Sequence, residues 1–175
     1  IAGVVMKDGV SDAVSSVQTM LNHLVHRGPD AEGIWSRPGL ALGNRRLKIL
    51  DLSDAANQPF TDGDDVLVFN GRIFNHLRLK QELSSRFVFT TRCDTEVLFR
   101  ALQVWGESAL DRLRGQFAFA FYAKADHRLL LARDHVGICP LYTLEEQDRL
   151  IFSSEIRPIL ELGPRELDRE AVVDY

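Results

Sequence analysis

The chain has 175 residues, room for one domain with a short extension. Its apolar fraction of 45% and charged fraction of 26% are those of an ordinary globular protein, able to bury a core without metals or disulfides. A formal net charge of −4 argues against a general nucleic-acid binder, which would need a basic face, and no apolar run reaches the roughly 18–20 residues of a membrane span.

Ile1 to Met6 reads as a buried strand, and Lys7-Asp8-Gly9 as a turn. Ser11 is placed to cap a helix in which Val14, Val17, Leu21, Leu24 and Val25 recur at helical spacing up to His26, before Gly28 and Pro29 end it. Leu40 to Leu52 reads as extended, and Asn57-Gln58-Pro59 as a polar loop. Val66 to Phe69 is a short strand running into the turn signal Asn70-Gly71. His76 to Arg86 reads as a helix, Phe87 to Thr90 as a strand, Thr95 to Trp105 as a helix closed by Gly106, and Glu107 to Leu113 as a further short helix.

Gln116 to Tyr122 alternates, with Phe117, Phe119 and Phe121 on one face and Ala118, Ala120 and Tyr122 on the other. Small residues on one side imply something packed closely against that strand. Arg128–Arg133, Ile138–Tyr142 and Leu150–Ser153 read as strands and Ile156–Leu162 as a short helix. Strands and helices do not alternate one by one, so the pattern predicts an α+β layered fold rather than a doubly wound sheet.

No GxSxG elbow, HExxH pair or Walker A loop is present, and the five histidines are scattered. The two cysteines, Cys93 and Cys139, have no metal-ligand spacing and read as reduced thiols of a cytoplasmic protein. Three features stand out. Arg45-Arg46 interrupt an apolar strand, either as solvated charges on an edge or as a guanidinium grip on a carboxylate. Asn70-Gly71 is either a hairpin turn or a pair of amide donors for a developing oxyanion. Asp94 opens a helix, as an N-cap or as an acceptor for an ammonium group. Together they suit an amino acid carrying a side-chain amide.

The ordered series of motifs is more specific. It comprises Ile1-Ala2-Gly3-Val4-Val5, His26-Arg27-Gly28-Pro29-Asp30, Arg45 through Ser53, Gln58-Pro59, and Phe69-Asn70-Gly71-Arg72-Ile73-Phe74-Asn75-His76. It continues with Asp94-Thr95-Glu96-Val97, Leu113 through Ala120, Leu131-Ala132-Arg133-Asp134, Gly137-Ile138, Pro140-Leu141-Tyr142 and Ser154-Glu155-Ile156. In this order the chain resembles the class II glutamine amidotransferase domain of the glutamine-hydrolysing asparagine synthetase family.

The resemblance implies a four-layer αββα sandwich of the N-terminal nucleophile hydrolase type over residues 1–162. Residues 163–175 would then be a linker and the start of a C-terminal synthetase domain. Both ends accordingly read as cut, the first at Ile1 without a methionine and the last inside a helix-like stretch at Leu167–Val173. The family hydrolyses glutamine and passes the ammonia to that second domain, where ATP and magnesium activate a carboxylate; no cofactor or metal is implied here. A homodimer is left open.

By motif, Arg46 would hold the glutamine carboxylate with the main chain near Leu50, Asn70 and Gly71 would form the oxyanion hole, and Asp94 would hold the ammonium. Arg27 and Asn75 would support the pocket. The family's nucleophile is an N-terminal cysteine whose own amine, with a pKa near that of the thiol (about 7.7–8.0 against 8.5), accepts its proton. Ile1 corresponds to the family's third residue, so Cys-Gly is lacking, and neither Cys93 nor Cys139 is terminal.

Arg72 stands where the family has glutamate. A second cation at ~4 Å from the substrate ammonium would repel it by roughly 4 kcal/mol at an effective dielectric of ~20, unless the long side chain turns to solvent. Lys48 and Phe74 replace serine and tyrosine. The alternative implied by Arg72 is a glutaminase-inactive scaffold like that of β-lactam synthetases or lasso-peptide cyclases. A stand-alone glutamine-sensing module is a further reading.

Overall fold

The computed structural model describes residues 1–49 and 53–163. In chain order they form β1 (Ala2–Met6), α1 (Val14–Asn22), a 3₁₀ turn (Val25–Arg27), β2 (Ala31–Arg37), β3 (Leu40–Arg46), a 3₁₀ turn (Asp54–Ala56), β4 (Phe60–Asp62) and β5 (Asp65–Ile73). There follow α2 (His76–Leu83), α3 (Asp94–Trp105), a 3₁₀ segment (Gly106–Arg112), β6 (Gly115–Ala123), β7 (Arg128–Arg133), β8 (Tyr142–Glu145), β9 (Arg149–Ser153) and α4 (Ile156–Leu162). The strands make two antiparallel sheets, one ordered β2-β3-β1-β9-β8 and the other β4-β5-β6-β7.

The alternation on β6 sets the layers. Phe117, Phe119 and Phe121 join Phe99, Leu98, Leu79 and Leu83 in a core between the four-stranded sheet and α2/α3. Phe99 meets Phe60 and Phe121 edge-on, at ring separations of 5.2 and 5.8 Å. Each such buried ring contributes about 1.5–3 kcal/mol. Ala118, Ala120 and Tyr122 face the other way and pack with Leu42, Val66, Val68 and Phe152 between the sheets. A third core joins Val17, Met20 and Leu21 of α1 and Ile159 of α4 to Val4, Ala41 and Ile151 on the outer face of the five-stranded sheet. The order is therefore helices, sheet, sheet, helices, the predicted α+β four-layer sandwich. A bulkier residue at Ala118 or Ala120 would wedge the sheets apart, at about 1–3 kcal/mol for overpacking.

Several local expectations are corrected. Ser11 does not cap α1. Its N–H and hydroxyl bond the Asp8 carboxylate, and Asp12 Oδ1 receives the Val14 N–H. The helix ends at Asn22, and a 3₁₀ turn keeps Leu24 buried while turning Val25 outward. The extended run from Leu40 is a strand only to Arg46; Leu47 and Ile49 are exposed, and Leu50 to Leu52 lie outside the described residues. Asn70-Gly71 is no hairpin, because β5 continues through both to Ile73, paired with β6. Helix α2 stops at Leu83, short of Arg86.

Phe87–Thr90 is not a strand. The N–H groups of Thr90 and Thr91, with both hydroxyls, bond the fully buried Glu96 carboxylate instead of a ladder. Ile138–Tyr142 fails in the same way, since the Ile138 and Cys139 N–H groups bond Asp134 and pairing starts only at Tyr142. Strands β2 and β4 had no sequence prediction. Residues 164–175, nearly all of the expected linker, lie outside the described residues.

Candidate active site

Two polar rows meet at one end of the sandwich. On β3, Leu40 and Leu42 point between the sheets, and Asn44 and Arg46 continue that alternating row. On β5, Val66 and Val68 do the same, and Asn70 and Arg72 follow. Where both rows turn polar the sheets enclose a cleft of about 340 Å³. That volume is within the range of small-molecule sites. Arg27, Asn44, Arg46, Gln58, Asn70, Gly71, Arg72, Cys93 and Asp94 are among its walls.

The predicted residues Arg27, Arg46, Asn70, Gly71, Arg72 and Asp94, drawn from four separate segments, are thus brought together. Asn75 is not among the cleft residues. Its amide donates to Arg112 O and accepts from Arg114 N, both at 2.9 Å, and so ties the end of β5 to the approach of β6. Leu50 lies outside the described residues.

The flank of β5 turned away from β6 carries the site's geometry. Strand β4 pairs with β5 only at Asp65 to Leu67. Beyond it the outward N–H groups fall at alternate residues. The Phe69 N–H is bound by Gln58 Oε1 at 2.6 Å, and the Ile73 N–H by Asp94 Oδ2 at 2.8 Å. Gly71 lies between them opposite Phe117, whose own N–H and C=O are bound to Asp134 rather than to β5. The Gly71 N–H is therefore directed to the open flank. Glycine is required there: its φ is +135°, and a Cβ would stand 2.1 Å from the Gln116 carbonyl oxygen. The Asn70 carboxamide beside it has no hydrogen-bond partner among the described residues.

Charge in the cleft is mainly positive. Arg45 turns to the α1 side, where it donates to Leu21 O and pairs with Glu32, which excludes an edge-strand reading because β3 is interior. Arg46 takes the cleft side, donating to Ser53 O at 2.9 Å and Asn57 Oδ1 at 2.7 Å. Asp30 fixes this end of β3 by donating its N–H to Arg46 O and accepting the Lys48 N–H. Gly28 lets the preceding loop close on β3, since a Cβ there would fall 2.3 Å from the Arg45 carbonyl carbon. Arg27 pairs with Glu155 at 3.2 Å, and His26 with the same carboxylate at 2.8 Å. Burial opposes ionisation of Glu155, but the bonds from His26 and Arg27 hold its carboxyl below the usual range. Asp94, 4% exposed, is the cleft's carboxylate and opens α3 behind Cys93.

The start of β1 adjoins this cleft. Ala2 pairs with Gly43, which sets Ile1 abreast of Asn44. The Ile1 nitrogen is buried and donates to Ser154 Oγ at 2.9 Å.

Sequence reading gave no site role to Asn44, Gln58 or Cys93, which also line the cleft. Asn44 of β3 meets Gln58 of the segment before β4 only in the fold, and Cys93, 3.1 Å from Thr91 Oγ1, was read as a reduced thiol. No cluster of three metal-binding side chains occurs among the described residues. No helix among them is long and apolar enough to cross a membrane.

Known proteins resemble this chain over most of its length. The chain is 37% identical over 169 residues to asparagine synthetase [glutamine-hydrolyzing] 1 of Bacillus subtilis, covering 94% of this chain and 27% of that protein. It is 38% identical over 137 residues to asparagine synthetase B [glutamine-hydrolyzing] of Escherichia coli, covering 77% and 25%. Amidase chry2 of Gibberella zeae is 36% identical over 163 residues, covering 91% and 24%. The chain thus spans about a quarter of the length of these relatives. The solved structure of glutamine phosphoribosylpyrophosphate amidotransferase from B. subtilis, 23% identical, superposes with a TM-score of 0.77 over 90% of this chain and 42% of that one, which supports the fold. The family model described as a glutamine amidotransferase domain matches residues 1–175, and the chain belongs to that family.

Proposed function

We propose that this chain is the glutamine-hydrolysing part of an asparagine synthetase-like enzyme and supplies ammonia to an ATP-dependent synthetase domain. The observation that carries this reading is the open flank of β5, where the Gly71 N–H and the Asn70 amide stand side by side between an arginine and a carboxylate.

In this reading the substrate α-carboxylate lies on Arg46 and its α-ammonium on Asp94, with Arg27 behind them. The side-chain carbonyl oxygen is directed at Asn70 and Gly71, the place of developing negative charge. The nucleophile is a cysteine two positions ahead of Ile1, led into the cleft by β1. Its α-amine takes the thiol proton. Thiolate attack gives a tetrahedral oxyanion. The C–N bond breaks as the amine returns the proton to nitrogen, ammonia departs, and water cleaves the γ-glutamyl thioester to glutamate. ATP and magnesium are assigned to the synthetase domain. A cytoplasmic location accords with the unpaired Cys93 and Cys139.

The test is glutamate release from the chain carrying Cys-Gly ahead of Ile1. Equal amounts of glutamate and ammonia, lost on replacing that cysteine by alanine, are expected. Glutamine binding without release would support the glutamine-sensing reading instead. A folded protein that neither binds nor hydrolyses glutamine would end the proposal.

A further inference from the structure

Asn44, which is buried, and the half-buried Gln58 form an amide pair that no feature of the glutamine reading uses. Asn44 is 3% exposed and stands on the five-stranded sheet, whereas its partners belong to β5 and to the segment leading into β4. Its Nδ2 donates to Gln58 Oε1 at 3.3 Å and to Phe69 O at 3.4 Å. Gln58 Oε1 in turn accepts the Phe69 N–H at 2.6 Å. These contacts fix both amide orientations. The Phe69 N–H can only donate, so it identifies Gln58 Oε1. The Phe69 carbonyl can only accept, so it identifies Asn44 Nδ2.

The consequence is that both main-chain groups of Phe69 on the open flank are held by side chains where a neighbouring strand would hold them. Asp94 does the same for the Ile73 N–H on the other side of Gly71. The pair is not built for stability alone. Asn44 Oδ1 is buried with no hydrogen-bond partner, an arrangement that normally costs about 1–3 kcal/mol. An apolar pair of similar shape would avoid that cost but would leave the Phe69 N–H and C=O unbound.

We propose that Asn44 and Gln58 are positioning residues that clamp the backbone of Phe69 and thereby set the two donors that follow it, the Asn70 amide and the Gly71 N–H. The proposal rests on the oxyanion reading of those donors. Neither residue touches the reacting atoms; they act through the strand. The clamp predicts an asymmetric response to two isosteric changes. Gln58→Glu keeps an acceptor for Phe69 N–H and Asn44 Nδ2. Asn44→Asp replaces the donor with an oxygen facing two acceptors. Packing alone would treat both changes alike.

The experiment compares Asn44→Asp, Gln58→Glu and Gln58→Leu in the chain carrying Cys-Gly ahead of Ile1. Misplaced donors should lower kcat by about 10–100-fold in Asn44→Asp and Gln58→Leu, with KM moved less than about 3-fold. Gln58→Glu should keep kcat within about 3-fold of the parent, because the hydrogen-bond acceptor survives. By NMR, amide exchange at Phe69 should accelerate, and the Gly71 amide signal should shift, in Gln58→Leu but not in Gln58→Glu.

Equal losses in Gln58→Glu and Gln58→Leu, or a loss confined to KM, would overturn the clamp. If Asn44→Asp does not fold, the Gln58 pair decides alone. If the parent releases no glutamate, that failure belongs to the functional reading. The clamp is then judged by the Gly71 signal, and an unmoved signal in Gln58→Leu refutes it.

Discussion

Replacing Asp134 by asparagine tests how one carboxylate organises the approach to β8. Asp134 Oδ1 accepts the N–H groups of Val136 and Ile138 at 3.3 and 3.0 Å, and Oδ2 those of Phe117 and Cys139 at 3.2 and 3.0 Å. Asparagine has nearly the same shape but exchanges one oxygen for an NH₂ group, so two of the four donors must face another donor. Each orphaned buried donor costs about 1–3 kcal/mol. The amide would turn its nitrogen toward Val136 and Ile138, where water can reach, so about 2–3 kcal/mol is expected in total. For a domain of this length that corresponds to a fall of roughly 5–10 °C in Tm.

The pH dependence is a second readout. Burial works against the Asp134 charge, but the bonds from Cys139, Ile138, Phe117 and Val136 hold its pKa down to about 2. A depressed folded pKa contributes stability above the unfolded value of about 3.9, and that contribution is lost as pH falls through the folded value. Urea denaturation of both proteins should therefore show a gap near neutrality that narrows between about pH 4 and pH 2. A variant within about 0.5 kcal/mol of the parent near neutrality would refute the reasoning, as would a gap unchanged down to the lowest pH.

Two predictions concern the cleft. Gly71→Ala must push β5 off β6, because its Cβ would meet the Gln116 carbonyl oxygen in a backbone conformation alanine avoids. Glutamate release should fall at least about 100-fold with a lowered melting temperature, and an active, fully stable variant would contradict the placement of that N–H. Arg72→Glu should tighten glutamine binding about 10-fold in calorimetry at low salt, less at high salt, because Arg72 lines the cleft with Asp94 and is only partly screened. Unchanged or weaker binding would show that the Arg72 charge does not reach the ligand.

Much of the fold was legible because it rests on periodicity. The Phe and Ala faces of β6 placed a helix layer on one side and a close-packed sheet on the other, as found. β7 and α4 fall at their predicted bounds. The errors share a physical cause. Phe87–Thr90 and Ile138–Tyr142 are extended, apolar segments whose N–H groups are met by the carboxylates of Glu96 and Asp134, and no local pattern distinguishes such an acceptor from a neighbouring strand. Asn70-Gly71 is a turn signal locally, but β6 holds β5 straight through it. Arg46, Asn70, Gly71 and Asp94 were found through ordered motifs. The roles of Asn44 and Gln58 escaped because their meaning lies in contacts between segments far apart in the chain.

The brevity of β4 reaches further than its three residues suggest. Phe60 is its last paired residue: one step back, the position of Pro59 faces Val68, whose main chain is turned to β6, and at the next step Gln58 meets the Phe69 N–H with its side chain and not its main chain. Were that stop removed and the segment free to zip onward, main chain would replace side chains along the edge and seal the recess from within. The hollow is thus governed by how far a neighbour runs as well as by what lines it. Insertions or deletions between Ser53 and Phe60 can erase it while every wall residue stays in the sequence.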